Sequence, residues 1–317
     1  MEAVTTFDPL SAANPNWRTS GRYDALFVQA YEMALAPPAF PRKIFRFDDM
    51  VVVLRPTKLQ FIELAGVRLR FGESRQMEMS ADQRVSVSDA TPKLITIQPH
   101  NTQNLHEDRH LEDRSAEYIS LLVCNSHRNI AFRRLFTQIV SLDGSSAGVQ
   151  GEIYRLPFDV PRPDLSHDAL DRFRRCQAEI GALALEVQQK VRLSLHWHIK
   201  GVQSDGLDSF LSLWIALETL SMQSANIADV NDQLGNLYGI SRSEAAAEFG
   251  VGRICGLRSR VVHNGERKNI STDLTDYMEC LYADLLLFQV LGERLGRTRA
   301  FLRSKGLDVV ELTKPAA

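Results

Sequence analysis

Residues 258–265 read Arg-Ser-Arg-Val-Val-His-Asn-Gly and place an arginine and a histidine near the end of an amphipathic helix. From Arg253 to Lys268 five basic side chains (Arg253, Arg258, Arg260, Arg267 and Lys268) stand against a single acid, Glu266, with His263 among them. Such a surface favours an anion. An imidazole titrates near neutral pH and passes protons, while a guanidinium holds phosphate oxygens in a fork, so together they supply most of what metal-free phosphodiester cleavage requires. His-Asn-Gly is equally a plain helix C-cap, with a cation on the negative end of the dipole and Gly in the left-handed position. Local sequence leaves both readings open.

Two further elements must position this segment. Leu207 to Met222 reads as a helix whose apolar seam runs Leu207, Phe210, Leu211 and Trp214 and continues to Glu218. Eleven residues are close to three turns, which puts Glu218 almost above Leu207 on the packed face. A carboxylate there needs a partner, and Arg258 or His263 on a neighbouring helix would provide one. Solvation of Glu218 at a helix end is the other reading, because Ser221 to Asp232 is polar. Ser241 to Glu244 is a capping-box pattern that opens the motif helix, which Gly250 and Gly252 loosen midway.

Trp214-Ile-Ala-Leu-Glu218-Thr-Leu, then Ile254-Cys-Gly-Leu-Arg258-Ser259, then Val-Val-His263 resembles the HEPN superfamily, in particular its Apea-like branch, over roughly residues 165 to 300. That family's pattern is an arginine, often a polar residue after it, and a histidine about four to six residues further on. Arg258, Ser259 and His263 fit it. The resemblance implies a helical bundle that dimerises and brings two Arg/His pairs into one cleft. It further implies a metal-independent endoribonuclease of toxin, RNA-processing or antiviral defence systems, acting on RNA without a cofactor. Arg258, Ser259, His263 and Glu218 would then be the catalytic set, and Arg253, Arg260, Asn264, Arg267 and Lys268 would hold RNA. Asn264 departs from the pattern, since Apea-like members often carry Gly directly after the histidine. Positions five apart lie about 140° round an ideal helix, so Arg260 shares a face with His263 better, yet only Arg258 has the family's spacing. A HEPN-like module that binds RNA, a nucleotide or a protein without cutting is the alternative the resemblance leaves open.

Composition sets bounds. At 317 residues, 44% hydrophobic and 24% charged, the chain can bury two cores. The formal net charge is -2, so affinity for nucleic acid must come from local basic patches. A second such run, Arg294, Arg297, Arg299, Arg303 and Lys305, reads more readily as a solvated helix end. Cys124, Cys176, Cys255 and Cys280 have no Cys-x-x-Cys spacing, which argues against a structural zinc or a disulfide framework and points to a reducing cytoplasm. The first residues lack the pattern of a leader, and no apolar run approaches a membrane span.

The breakers at 141–165, including Pro157, Pro161 and Pro163, divide the chain. The expected fold class is α+β: a mixed N-terminal domain over 1–150, which would bind a partner protein or sense a trigger, and an all-α HEPN-like bundle over 165–305. In the first, Tyr23 to Ala36 looks helical, Ile44–Leu54, Leu59–Phe71 and Leu94–Gln98 look like strands, and Glu112–Cys124 could be either. In the second, one helix from Leu165 to Ile199 carries the seam Ala169, Phe173, Cys176, Ile180, Leu183, Val187 and Val191, and the final helix runs from about Ser271 to Ala300. His106-Glu-Asp-Arg-His110 has the spacing of a zinc-hydrolase helix but highly polar flanks, and is read as chance. His196 and His198 point to different sides of a helix and are read as a wet terminus. No phosphate-binding Gly-rich loop or Ser/His/Asp signature is present.

Overall fold

The computed structural model describes residues 7–33, 42–57, 60–71, 77–87, 92–103, 107–126, 132–143, 147–150, 165–222, 226–264 and 269–314. The fold is α+β, and its contacts separate two units: Met1–Glu112 with Asn129–Leu165, and Asp113–Arg128 with Ser166–Ala317. The helical unit therefore takes a segment that lies in sequence between strands of the other.

Six strands of the first unit form one antiparallel sheet in the order β2-β3-β6-β1-β7-β8. They are β1 (Ala25–Met33), β2 (Lys43–Arg46), β3 (Val51–Pro56), β6 (Pro92–His100), β7 (Phe132–Ser141) and β8 (Ala147–Gln150), while β4 (Gln60–Phe71) and β5 (Met77–Val87) pair separately. Of the segment expected to be helical, Tyr23 to Ala36, residues Ala25–Met33 are instead β1, and 34–36 lie outside the described residues. The strand's Ala, Met and Glu residues favour helix, but its place between β6 and β7 buries nearly every side chain on both faces, and tertiary burial overrides propensity. Two short helices, α1 (Pro9–Ala12) and α2 (Pro15–Thr19), precede the sheet. Trp17 of α2 packs with Leu26, Val28, Val53 and Ile97, and its indole N–H donates to Asp48 O at 3.0 Å.

The ambiguous segment is helix α3 (Glu107–Asn125). The helical unit then continues through α4 (His167–Ala182), α5 (Leu185–Val202), α6 (Gly206–Ser221), α7 (Ile227–Tyr238), α8 (Arg242–Phe249), α9 (Val251–Asn264), α10 (Thr272–Leu291), α11 (Arg297–Lys305) and α12 (Val309–Leu312). The single helix expected over Leu165–Ile199 is broken at Leu183 and Ala184, whose extended backbones separate α4 from α5. Beyond the break the seam drifts off the core: Leu185 and Val187 are exposed, while Val191, Leu195 and Ile199 are buried. Gly201 sits where a Cβ would come within 2.6 Å of Leu213 Cγ, which lets α5 and α6 pack closely.

α10 is buried almost all round, from Leu274 and Tyr277 through Leu281 and Leu285, as the central helix of a bundle must be. It stops at Gly292 instead of running on to Ala300. The next helix starts without a side-chain cap of its own at Gly296, and buried Asp284 of α10 supplies one. Its carboxylate accepts from the backbone N–H groups of Arg297 and Thr298 at 3.1 and 2.8 Å, and from the Thr298 and Tyr238 hydroxyls at 2.8 and 2.6 Å. Four donors converge on one buried charge, which is how such a charge becomes tolerable.

The basic run 294–305 is mostly bound up in such ties. Arg299 forms a two-pronged pair with Glu248 at 2.5 and 2.7 Å and lies over the Tyr238 ring, and Lys305 reaches Asp273 at 2.6 Å. Among the described residues no helix is long and apolar enough to cross a membrane, and all four cysteines are free.

Candidate functional site

The site begins with a cap. The Ser241 hydroxyl accepts from Glu244 N–H at 3.2 Å, and the Glu244 carboxylate accepts from Ser241 N–H at 2.8 Å, starting α8 as the sequence pattern requires. Gly250, expected only to loosen one long helix, ends α8 in the left-handed conformation at φ 55°, and α9 starts at once in a new direction. Only glycine suits the position, because an added Cβ would lie 2.5 Å from Val309 Cγ1.

The inner face of α9 is apolar and closed. Val251, Ile254, Leu257 and Val261 are buried at the three- and four-residue spacing of a packed stripe. The outer face carries Gly252, Arg253 and Arg260, with Gly256 and Ser259 half-buried, and ends in exposed Val262 and His263. At that end Arg258 Nη1 lies 3.3 Å from His263 Nε2. A long, half-buried arginine thus spans the angular gap that five positions leave on a helix. A guanidinium can only donate, so in this hydrogen bond Nε2 is the acceptor. Asn264 belongs to α9, but its side chain lies outside the description, and Arg267 and Lys268 lie outside the described residues.

Glu218 departs from expectation. It is half-buried, and among the described residues no ion pair joins it to Arg258 or His263. The buried stripe of α6 runs Phe210, Leu213, Trp214 and Leu217, one position away from the seam counted from Leu207, so Glu218 falls at its edge. It nevertheless belongs to the neighbourhood. The Cys255 thiol is pushed up first by burial and next by the negative charge of Glu218, and is drawn back by Arg258 and by the Ser259 hydroxyl. Glu218, Arg258 and Ser259 thus all act on Cys255, which the sequence marked only as a free cysteine.

No family model, curated protein or solved structure matches this chain significantly.

The other histidines resolve differently. His198 is not at a wet terminus: it is 1% exposed, lies flat on Tyr282 with ring centroids 4.5 Å apart, and has Nδ1 2.8 Å from Ser120 Oγ. Burial drives its pKa down to about 3, so the ring is neutral. His196 points elsewhere, with Nδ1 3.3 Å from Asp113. His106 lies outside the described residues, and among those described no group of three or more His, Cys, Asp or Glu side chains is placed to hold a metal.

Proposed function

We propose that this protein is a metal-independent endoribonuclease of the HEPN type, with Arg258 and His263 as its catalytic pair. One observation carries the reading: the two side chains meet at 3.3 Å at an exposed helix end. Cleavage would proceed by attack of a ribose 2′-oxygen on the adjacent phosphorus. The 2′-proton passes to an imidazole, the bond to the 5′-oxygen breaks, and that oxygen takes a proton from a second imidazole. Arg258 stabilises charge on the phosphoryl oxygens, Ser259 adds a polar contact, and Arg253 and Arg260 on the outer face bind the RNA backbone. Glu218 contributes a negative charge beside Cys255 in the same neighbourhood.

Two imidazoles call for two copies. Ile254, Leu257 and Val261, the apolar residues beside the motif, are already consumed by the core. The outer stripe Gly252, Gly256, Ser259 and His263 is the better candidate, because a Cβ added at either glycine would meet nothing within 4 Å. Two α9 helices running in the same sense across a two-fold axis would approach closely at the glycines and bring both His263 ends together.

The test is incubation of the purified protein with labelled single-stranded RNA, with and without EDTA, followed by analysis of product ends. Cleavage that survives chelation and leaves 2′,3′-cyclic phosphate and 5′-hydroxyl ends supports the reading. Ends bearing 5′-phosphate would overturn it. One observation favours the alternative, a module that binds RNA, a nucleotide or a protein without cutting: in this arrangement Arg258 occupies the Nε2 that a substrate hydroxyl would need. Binding without cleavage would decide for it.

A further inference from the structure

The helical unit has a half-open cavity of about 300 Å³ whose walls come from α3, α5, α10 and α11, with Val123, Ala283 and Phe301 as its apolar part. Arg297 is its cation. This guanidinium is turned onto the C-terminal end of α3, with Nη1 donating to Cys124 O at 2.6 Å and Nη2 to Asn125 O at 3.3 Å. The Asn125 carbonyl also accepts from Arg172 Nη2 at 3.2 Å, and the Nε of Arg172 is buried without a hydrogen-bond partner. Two guanidiniums thus converge on one carbonyl, and among the described residues no ion pair joins either to a carboxylate.

The nearby Asp284 acts on Arg297 only as a neighbouring negative charge, since its oxygens are held by Tyr238, Thr298 and the backbone at the start of α11. Helix α3's negative end offsets roughly half a charge at most. Arg297 therefore faces the cavity with backbone carbonyls as its hydrogen-bond acceptors and no ion-paired carboxylate among the described residues, while Glu279 lines the same space.

We propose that this cavity binds a small monocarboxylic acid, its carboxylate received by Arg297 and its apolar body held between Val123, Ala283 and Phe301. The volume lies at the lower end of the range for small-molecule sites, which limits the ligand to a compact acid. A single negative charge is indicated because the half-buried carboxylate of Glu279 also lines the space and repels a phosphate dianion about twice as strongly as a monocarboxylate. His198 and Cys124 line it as neutral groups, the first with its pKa driven down to about 3 by burial and the second with its thiol driven well up, so neither competes for the anion or reacts with it. This inference stands independently of the ribonuclease reading.

The experiment uses the full chain and titrates phenylacetate, hexanoate, 2-phenylethanol, phenethylamine and phenyl phosphate by calorimetry, with the Ala283 and Ala300 methyl signals followed by NMR. Binding of the two acids, with both methyls shifted and the alcohol and amine weaker by roughly 10-fold or more, is expected, since a charge-assisted hydrogen bond is worth about that much. Arg297→Gln should weaken the acids by a similar factor. Because that change also frees the end of α3, Ala283→Leu is the second variant: it fills the cavity without touching the guanidinium and should abolish binding in a folded protein. Equal affinity for acid and alcohol, preference for the amine or for phenyl phosphate, no binding of either acid at millimolar concentration, or binding unchanged in Ala283→Leu would each overturn the assignment.

Discussion

Replacing Gly256 with leucine separates the needs of the folded chain from those of a dimer. Within one chain there is room for the new side chain, because a Cβ at residue 256 meets no atom within 4 Å. Glycine in a helix interior costs about 1 kcal/mol relative to good helix formers, so the change should stabilise α9 and leave the melting temperature unchanged or raise it by roughly 2–4 °C. Across a two-fold interface the effect reverses. An isobutyl group in a contact built for glycine costs about 1–3 kcal/mol, and symmetry presents it twice, giving about 2–6 kcal/mol against association. The dimerisation constant should therefore weaken by roughly 30-fold to more than 10⁴-fold. Sedimentation velocity across a concentration series would read the association, and RNA cleavage measured at the same concentrations should fall with it and recover at high protein. A variant that is stable, dimeric and fully active would show that the outer face of α9 is not the interface and that the composite-site reasoning is wrong.

Arg258→Ala and His263→Ala should each lower RNA cleavage by about 10²- to 10⁴-fold with the circular dichroism unchanged, whereas Arg260→Ala should bind RNA more weakly yet keep its cleavage rate at saturating RNA; an Arg260 variant dead at saturation beside an active Arg258 variant would reverse the assignment. Glu218→Ala should cost no more than about 1 kcal/mol in stability, because the carboxylate is half-buried and among the described residues no ion pair joins it to Arg258 or His263, and a loss of about 3 kcal/mol or more would restore it as a buried ion-pair partner. For His198 the folded pKa of about 3 lies below the ordinary 6.5. Between those values the unfolded chain takes up a proton that the native chain refuses, so stability is full above pH 6.5 and falls as the pH drops toward 3, by about 1.4 kcal/mol per pH unit. His198→Gln should flatten the acid limb of a stability-against-pH curve by that slope, and superimposable limbs would mean that the ring is not buried neutral.

What could be read from the sequence was what local chemistry decides. The Ser241–Glu244 cap, the helix over Leu207–Met222 and the Arg258–His263 spacing depend on neighbours within a turn or two, and the structure keeps them. What could not be read depends on partners far along the chain. Nothing in Tyr23–Ala36 announces that strands from residues 92–100 and 132–141 will bury it on both sides. His198 is withdrawn from water by Ser120 and Tyr282, which stand 78 and 84 positions away. The error at Glu218 is of another kind: a seam counted from partly buried Leu207 is rotated by one residue from the real core face, and one residue on a helix is about 100°. Gly250 carried a visible signal, but only the approach of Val309 shows that the chain must turn there and not merely weaken.

Helix α3 also imposes an order on synthesis. Its carbonyls at Cys124 and Asn125 wait for Arg297, its Tyr118 ring and hydroxyl for Phe173 and Gln177, and its Ser120 for His198. At ~5–20 residues per second, the last of those partners leaves the ribosome on the order of tens of seconds after α3 does. The strands that follow α3 directly, β7 and β8, emerge within that interval and can complete the six-stranded sheet first. The nascent chain would then carry a finished sheet while α3 still lacks the later partners of Tyr118, Ser120 and its last carbonyls, so translation is the interval in which this helix is least protected.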